Sequence, residues 1–200
     1  MIDHNPANAH APQPLSRSYD QPVAGSYMIA RMLEALQLEP WHRVLEIGTG
    51  SGYSTAVLSR LVREVYSIER IPELAESARA RLAALGDDGI VVRCADGAMG
   101  WPTQAPYDAI FVGASAPSIP PALLEQLAEG GRLVMPVGDA HRQRLVCVAK
   151  TGGAATSTYL GPARFAPLVD ARADQRENQI DHGDVGPGTP HRQERANDAA

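Results

Sequence analysis

Residues 44–53 read Val-Leu-Glu-Ile-Gly-Thr-Gly-Ser-Gly-Tyr, a short apolar run followed by three glycines spaced by single residues. The run Leu45-Glu46-Ile47 has the character of a buried strand, and Tyr53 onward reads as a helix, so Gly48, Gly50 and Gly52 fall in the turn between them. Glycine lets a backbone adopt positive φ and approach a ligand with no Cβ in the way. A loop that sets a pyrophosphate on a helix N-terminus has the spacing GxGxxG. Here the third glycine comes one residue early, and Tyr53 stands where that loop needs a small side chain.

On both sides of this stretch, short β-type runs alternate with helical ones. Residues 43–47, 64–68, 90–94, 109–112, 131–137 and 144–148 are six strand candidates. Residues 27–36 place Ile29, Met32, Leu33 and Leu36 at helical spacing, and 53–61, 71–84 and 121–127 are further helix candidates, with a connector around Trp101. This alternation predicts an α/β fold, a Rossmann-like, mostly parallel doubly wound sheet. The last two strand candidates lie close enough to form an antiparallel hairpin at the sheet edge, with Asp139, Ala140 and His141 as its turn.

The chain has 200 residues and 44% hydrophobic content, which bounds it to one ordinary core. Residues 1–20 are rich in Pro, Asn, His and Ser without periodicity and read as a flexible segment, 21–169 as the domain, and 170–200 as a disordered tail. That tail holds seven acids and four arginines, so it carries most of the net charge of −5. Such a balance argues against a nucleic-acid partner. The longest apolar runs are far shorter than the roughly 20 residues that span a bilayer, so no membrane partner is expected. The N-terminus does not read as a secretory signal, and a cytoplasmic location is expected. Cys94 and Cys147 lie in apolar runs without CxxC spacing and read as small core residues, with no metal site.

Glu69 ends the second strand candidate, about 20 residues beyond the glycine loop, where a carboxylate can accept both hydroxyls of a ribose. Paired with Arg70, it would instead be a solvated acid. Asp96 and Gly97 form a turn at the end of the third strand candidate; Asp96 is placed to accept from an adenine amino group, and turn chemistry alone also accounts for the pair. Asp108, before the fourth, either positions the cofactor-side loop or caps a turn. The GxGxG form preceded by Glu46 is the methyltransferase pattern, whose ligand has a sulfonium and an amino acid in place of pyrophosphate.

Over residues 21–168 the sequence resembles the protein-L-isoaspartate (D-aspartate) O-methyltransferases. The resemblance is carried by 44–53 (VLEIGTGSGY), 64–73 (EVYSIERIPE), 107–117 (YDAIFVGASAP), 130–138 (GGRLVMPVG) and 164–168 (RFAPL). It implies S-adenosyl-L-methionine as cofactor, with Gly48, Gly50 and Gly52 at its methionine part, Glu69 at the ribose, and Asp96 with Gly97 at the adenine. The expected cofactor-binding set is Glu46, Gly48, Thr49, Gly50, Ser51, Gly52, Glu69, Arg70, Asp96 and Gly97. Gly113, Ala114, Ser115 and Ala166 are expected to border the methyl acceptor, a peptide or protein bearing an isoaspartyl or aspartyl residue.

The expected chemistry needs no base, because an acceptor carboxylate with a pKa near 4 is ionised at neutral pH. This agrees with the histidines: of six, only His42 and His141 lie outside the terminal regions, and both read as loop residues. No catalytic residue is assigned. The family has a segment resembling GQTISQP before its first sheet-flanking helix, whose hydroxyls help hold the acceptor carboxylate. The matching residues 20–26 put Pro22 at the threonine position and Ala24 at the serine position, with Ser26 or Ser18 as substitutes. The family's N-terminal helical region is also longer. The leading reading is therefore a carboxyl O-methyltransferase for isoaspartyl or aspartyl residues. A specialised enzyme that modifies one biosynthetic peptide and a catalytically silent, cofactor-binding interaction protein are the alternatives.

Overall fold

The computed structural model describes residues 25–86 and 88–168. The expectations for residues 1–20, for 170–200 and for Ala24 fall outside the described residues.

Seven strands form one sheet: β1 (Arg43–Ile47), β2 (Glu64–Glu69), β3 (Ile90–Cys94), β4 (Tyr107–Val112), β5 (Leu127–Gly138), β6 (Gln143–Thr151) and β7 (Ala154–Ala163). Their order is β3-β2-β1-β4-β5-β6-β7, parallel from β3 to β5 and antiparallel across β6 and β7. The α/β expectation holds. Among the described residues four helices flank the sheet: α1 (Ser26–Leu36), α2 (Tyr53–Ser59), α3 (Pro72–Ala83) and α4 (Pro121–Glu125). Two short 3₁₀ turns, Gly97–Met99 and Pro102–Gln104, replace a crossover helix between β3 and β4.

Central strands buried on both faces read as near-continuous apolar runs, and β1 shows why. Val44 belongs to a core with Ile29, Met32 and Leu36 of α1 and with Phe111 and Val134, while Leu45 and Ile47 belong to a second core with Ile110, Val112, Leu133 and Leu123. The two cores lie on opposite faces because successive side chains of a strand alternate. On the α1 face, residue 46 follows Val44, so Glu46 enters the core side of the sheet. Arg43 starts β1 and is fixed at its N–H by the Asp108 carboxylate, 2.8 Å away, which settles Asp108 as a strand-start anchor.

Three expectations are corrected. The hairpin of β5 and β6 is not the sheet edge, since β7 pairs along the outside of β6. β5 begins at Leu127, at the end of the predicted helix 121–127, because α4 stops at Glu125. Cys94 is exposed while Cys147 is buried: among the described residues β3 pairs with β2 alone and forms the other edge, so an apolar run there is half uncovered. The four-residue turn 139–142 is held by Asp139, whose carboxylate accepts the His141 and Arg142 N–H groups.

Candidate active site

Between β1 and β4 the connections leave in opposite directions, toward β2 on one side and β5 on the other. The strand ends part there, and ligands of open α/β sheets bind outside the carboxyl ends at such a point. The Gly113 N–H donates to the Ile47 carbonyl at 2.8 Å, closing the base of the crevice.

The glycine loop rises from β1 with Gly48, Gly50 and Gly52 at φ of +91°, +53° and +83°. A Cβ on Gly48 would meet the Gly113 backbone at 3.7 Å, one on Gly52 would meet Leu82 at 3.4 Å, and one on Gly50 would meet nothing within 4 Å. The loop is thus packed at its two ends and open at its crest. Its feet are tied to β2, where Gly48 and Thr49 donate N–H groups to the Ile68 carbonyl.

Glu69 ends β2 beside this crest. Its carboxylate accepts the Gly50 N–H at 2.8 Å and the Ile71 N–H at 3.0 Å, so it joins the loop to the start of α3. Each oxygen keeps a lone pair for a further donor. Arg70 follows it and is exposed, and Ser51 is exposed on the loop.

Glu46 sits beneath the loop instead of on its surface and is fully buried. Its Oε1 accepts the Ser54 hydroxyl, and its Oε2 accepts the hydroxyls of Thr55 and Ser67. Ser67 is its register partner on β2, and Ser54 and Thr55 lie in the first turn of α2. Thr49 adds a hydroxyl against Ser67 at 2.5 Å. Burial pushes the Glu46 carboxyl above its usual range, and the hydroxyls of Ser54, Ser67 and Thr55 hold it back. Among the described residues no cation pairs with it.

Asp96 accepts the Ala98 N–H at 2.9 Å and so caps the Gly97–Met99 turn. A Cβ on Gly97 would come within 2.3 Å of Ile47 Cγ2, so close packing against β1 by itself demands glycine there. Turn chemistry and packing therefore account for both residues, at the rim of the same crevice.

On the β4 side, the Ser115 N–H donates to the Ala166 carbonyl and the Leu168 N–H to the Ser115 carbonyl, at 2.8 and 2.6 Å. These bonds bring Gly113, Ala114, Ser115 and Ala166 into one wall. Gln143, which sequence reasoning missed, holds it: its amide donates to Ser115 Oγ and the Phe165 carbonyl, both at 3.0 Å, and accepts the Phe165 N–H at 2.7 Å. A cleft of about 150 Å³ lies beside it, lined by Ala140, His141, Gln143, Ala163 and Arg164. Ser26 is exposed in the first turn of α1.

A pyrophosphate would meet the Glu69 carboxylate beside this crest, a repulsive arrangement, whereas a cationic ligand would find it complementary. The residues therefore fit S-adenosylmethionine, with glycines leaving room at the crest and Glu69 offering acceptors beside it. Sheet order and loop together define a class I S-adenosylmethionine-dependent methyltransferase.

A family model described as protein-L-isoaspartate(D-aspartate) O-methyltransferase matches residues 2–173, and the chain belongs to this family. It is 50% identical over 161 residues to protein-L-isoaspartate O-methyltransferase 1 of Syntrophobacter fumaroxidans, covering 80% of this chain and 75% of the relative. With the protein-L-isoaspartate O-methyltransferase of Anaeromyxobacter dehalogenans it shares 48% identity over 166 residues, covering 82% of this chain and 79% of the relative. Among solved structures, a protein-L-isoaspartate O-methyltransferase superposes with a TM-score of 0.68 at 30% identity, over 76% of this chain. The present chain spans half the length of that one. A Plasmodium falciparum chain described as a beta-aspartate methyltransferase (PCMT), in complex with S-adenosyl-L-homocysteine, gives a TM-score of 0.58 at 25% identity, over 70% of this chain and 71% of that one.

Proposed function

We propose that the chain is an S-adenosylmethionine-dependent carboxyl O-methyltransferase that acts on isoaspartyl or aspartyl residues of a peptide or protein. The observation that carries this reading is the family match over residues 2–173, which spans the glycine loop, Glu69 and the Ser115 wall, and the 50% identity over 161 residues to a protein-L-isoaspartate O-methyltransferase supports it. When bound, S-adenosylmethionine supplies a methyl group activated on a sulfonium. In this reading the backbone of Gly48, Thr49, Gly50, Ser51 and Gly52 holds the methionine part, Glu69 with Arg70 the ribose side, and Asp96 with Gly97 the adenine.

Gly113, Ala114, Ser115 and Ala166 border the acceptor. Its carboxylate is ionised at neutral pH, so the chain needs no group to remove a proton. The work left to the protein is to hold the carboxylate oxygen in line with the methyl carbon and to keep water out. Among the described residues outside the terminal regions the histidines are His42 and His141; both lie in loops, and His42 accepts the Glu39 N–H. The ester so formed is labile: the following backbone nitrogen attacks its carbonyl carbon, methanol leaves, and a succinimide results.

The test is transfer of labelled methyl from S-adenosylmethionine to a short isoaspartyl peptide, with its aspartyl isomer as control. Selective labelling of the isoaspartyl peptide is expected. Pro22 and Ala24, at the two hydroxyl positions of the family, favour a second reading in which the acceptor is one dedicated peptide. Cofactor binding with no labelling of either isomer would overturn the first reading in favour of that enzyme or of a silent cofactor-binding protein.

A further inference from the structure

Among the described residues, the hydrogen-bond partners of the buried Glu46 carboxyl are all hydroxyls. It faces Ser67 across the β1–β2 register and Ser54 and Thr55 from α2, and all of these side chains are covered. A hydroxyl has one proton to give. Ser54, Thr55 and Ser67 each sit within donating distance of a Glu46 oxygen. Because Ser67 spends its proton on Glu46, the close contact between Thr49 and Ser67 is one in which Thr49 donates. Four hydroxyl protons thus run toward one carboxylate, an arrangement that suits the anion: a neutral carboxyl would bring a proton of its own and turn one of the three donors away.

An anion sealed in a core without a cation is costly, and three neutral hydroxyls compensate it only in part. The charged neighbour that the fold does supply, Glu69, has the same sign and pushes the Glu46 carboxyl further up. Two carboxyl groups therefore lie under and beside a loop whose crest is open, and a cation on that crest would favour the ionised form of Glu46 that the three hydroxyl donors suit.

We propose that Glu46 supplies the fixed negative charge by which this site prefers the sulfonium cofactor to the neutral thioether left after methyl transfer. The inference rests on the reading of the chain as an S-adenosylmethionine-dependent methyltransferase. During transfer the carbon–sulfur bond breaks with its electron pair retained by sulfur, and a carbon–oxygen bond forms to the acceptor carboxylate. One positive and one negative charge vanish together. Before the step Glu46 has a counter-charge above it; afterwards it has none, and the product is held less tightly. Glu46 acts through the loop, as a positioning residue of the donor site. Glu69 differs from it, because its carboxylate is bonded to two N–H groups and is assigned to the ribose, which both forms of the cofactor share.

Calorimetric affinities separate these roles. The ligands are S-adenosylmethionine, S-adenosylhomocysteine and sinefungin, whose protonated amine restores a positive charge without a sulfonium. Glu46→Gln is expected to weaken binding of the two cations by about tenfold or more, the scale of one charge pair in a medium between water and dry protein, with S-adenosylhomocysteine nearly unaffected. Thr55→Val removes one hydroxyl and keeps the charge, and should leave the ratio between charged and neutral ligands as in the wild type. Equal loss of all three ligands in Glu46→Gln, or no loss, overturns the proposal. Should that variant not fold, Glu46→Asp and Glu46→Asn, matched in size and different in charge, give the same comparison. A wild-type protein that binds none of the three overturns the functional reading and the inference with it.

Discussion

Gln143 and Phe165 bond to each other as two strands would, although one contributes a side chain: the Gln143 amide accepts the Phe165 N–H at 2.7 Å and donates to the Phe165 carbonyl at 3.0 Å. The same nitrogen reaches Ser115 Oγ. All three residues are buried, so Gln143→Leu would leave the Phe165 N–H and carbonyl without their side-chain partner and the Ser115 hydroxyl with its bond to the Ala166 carbonyl alone. It is expected to cost about 1–3 kcal/mol and to loosen residues 164–168. Urea denaturation measures the first effect, and faster hydrogen exchange at the Phe165 amide the second. If this wall positions the acceptor, the KM for an isoaspartyl peptide rises while cofactor affinity stays near the wild-type value.

Glu69→Ala should weaken cofactor binding by about 1.5–3 kcal/mol, roughly 10- to 150-fold. The carboxylate also fixes the Gly50 and Ile71 N–H groups, so the affinity loss combines a lost ligand contact with a looser loop. Glu69→Gln retains one acceptor oxygen and is expected to fall between wild type and Glu69→Ala by calorimetry. Unchanged affinity in both variants would remove Glu69 from the ribose.

The outline of the sheet was legible wherever burial follows local composition. Val44, Leu45 and Ile47 are apolar because both faces of a central parallel strand are covered, and the same holds for Ala109, Ile110, Phe111 and Val112. Topology decides the rest. Cys94 stands in an equally apolar run that happens to be an edge. β7 was missed because most of it is exposed and Ala154–Ala163 shows no alternation of apolar and polar residues; the signal that could have found it was Gly152-Gly153, a two-residue hairpin turn. At the site, the glycine spacing and the strand-end position of Glu69 were readable from local sequence. The Glu46 hydroxyl cage is assembled from three separate elements, β1, α2 and β2, and the Gln143 clamp joins residues 22 and 28 positions apart, so no local pattern encodes either.

Acid should act on the Arg43–Glu64 pair. The Arg43 guanidinium donates to Glu64 Oε2 at 2.8 Å, and this bond outweighs the opposing effect of burial and, with a lesser bond from Tyr66, holds the Glu64 carboxyl below its usual range. A depressed carboxyl contributes stability above its unfolded pKa of 4.5 that is lost as pH falls through the lower folded value. The pair is partly exposed, so the effect is below about 1 kcal/mol. Glu64→Gln is expected to lower the urea midpoint slightly at neutral pH and to match the wild type once the pH lies below the folded pKa. A gap that persists undiminished in acid would show that the loss is packing and not charge.

The turn between β6 and β7 offers a test of backbone conformation alone. Gly152 and Gly153 have φ of +61° and +76°, and a Cβ on either meets nothing within 4 Å. Two positive φ values in a two-residue loop match the twist of the flanking strands, and Asn-Gly is the usual non-glycine solution. Side-chain space is not limiting, so substitutions should rank by their tolerance of the left-handed region. Gly152→Val is expected to cost about 1–2 kcal/mol. Gly152→Asn should be neutral or stabilising by up to about 1 kcal/mol, because it restricts the unfolded chain more than it strains the folded one. Glu129 accepts the N–H groups of both glycines from β5, and Glu129→Ala should erode the advantage of Asn by freeing the turn. Urea midpoints for the three variants decide the matter: equal losses for Val and Asn at position 152 would mean that the turn depends on something other than its φ values.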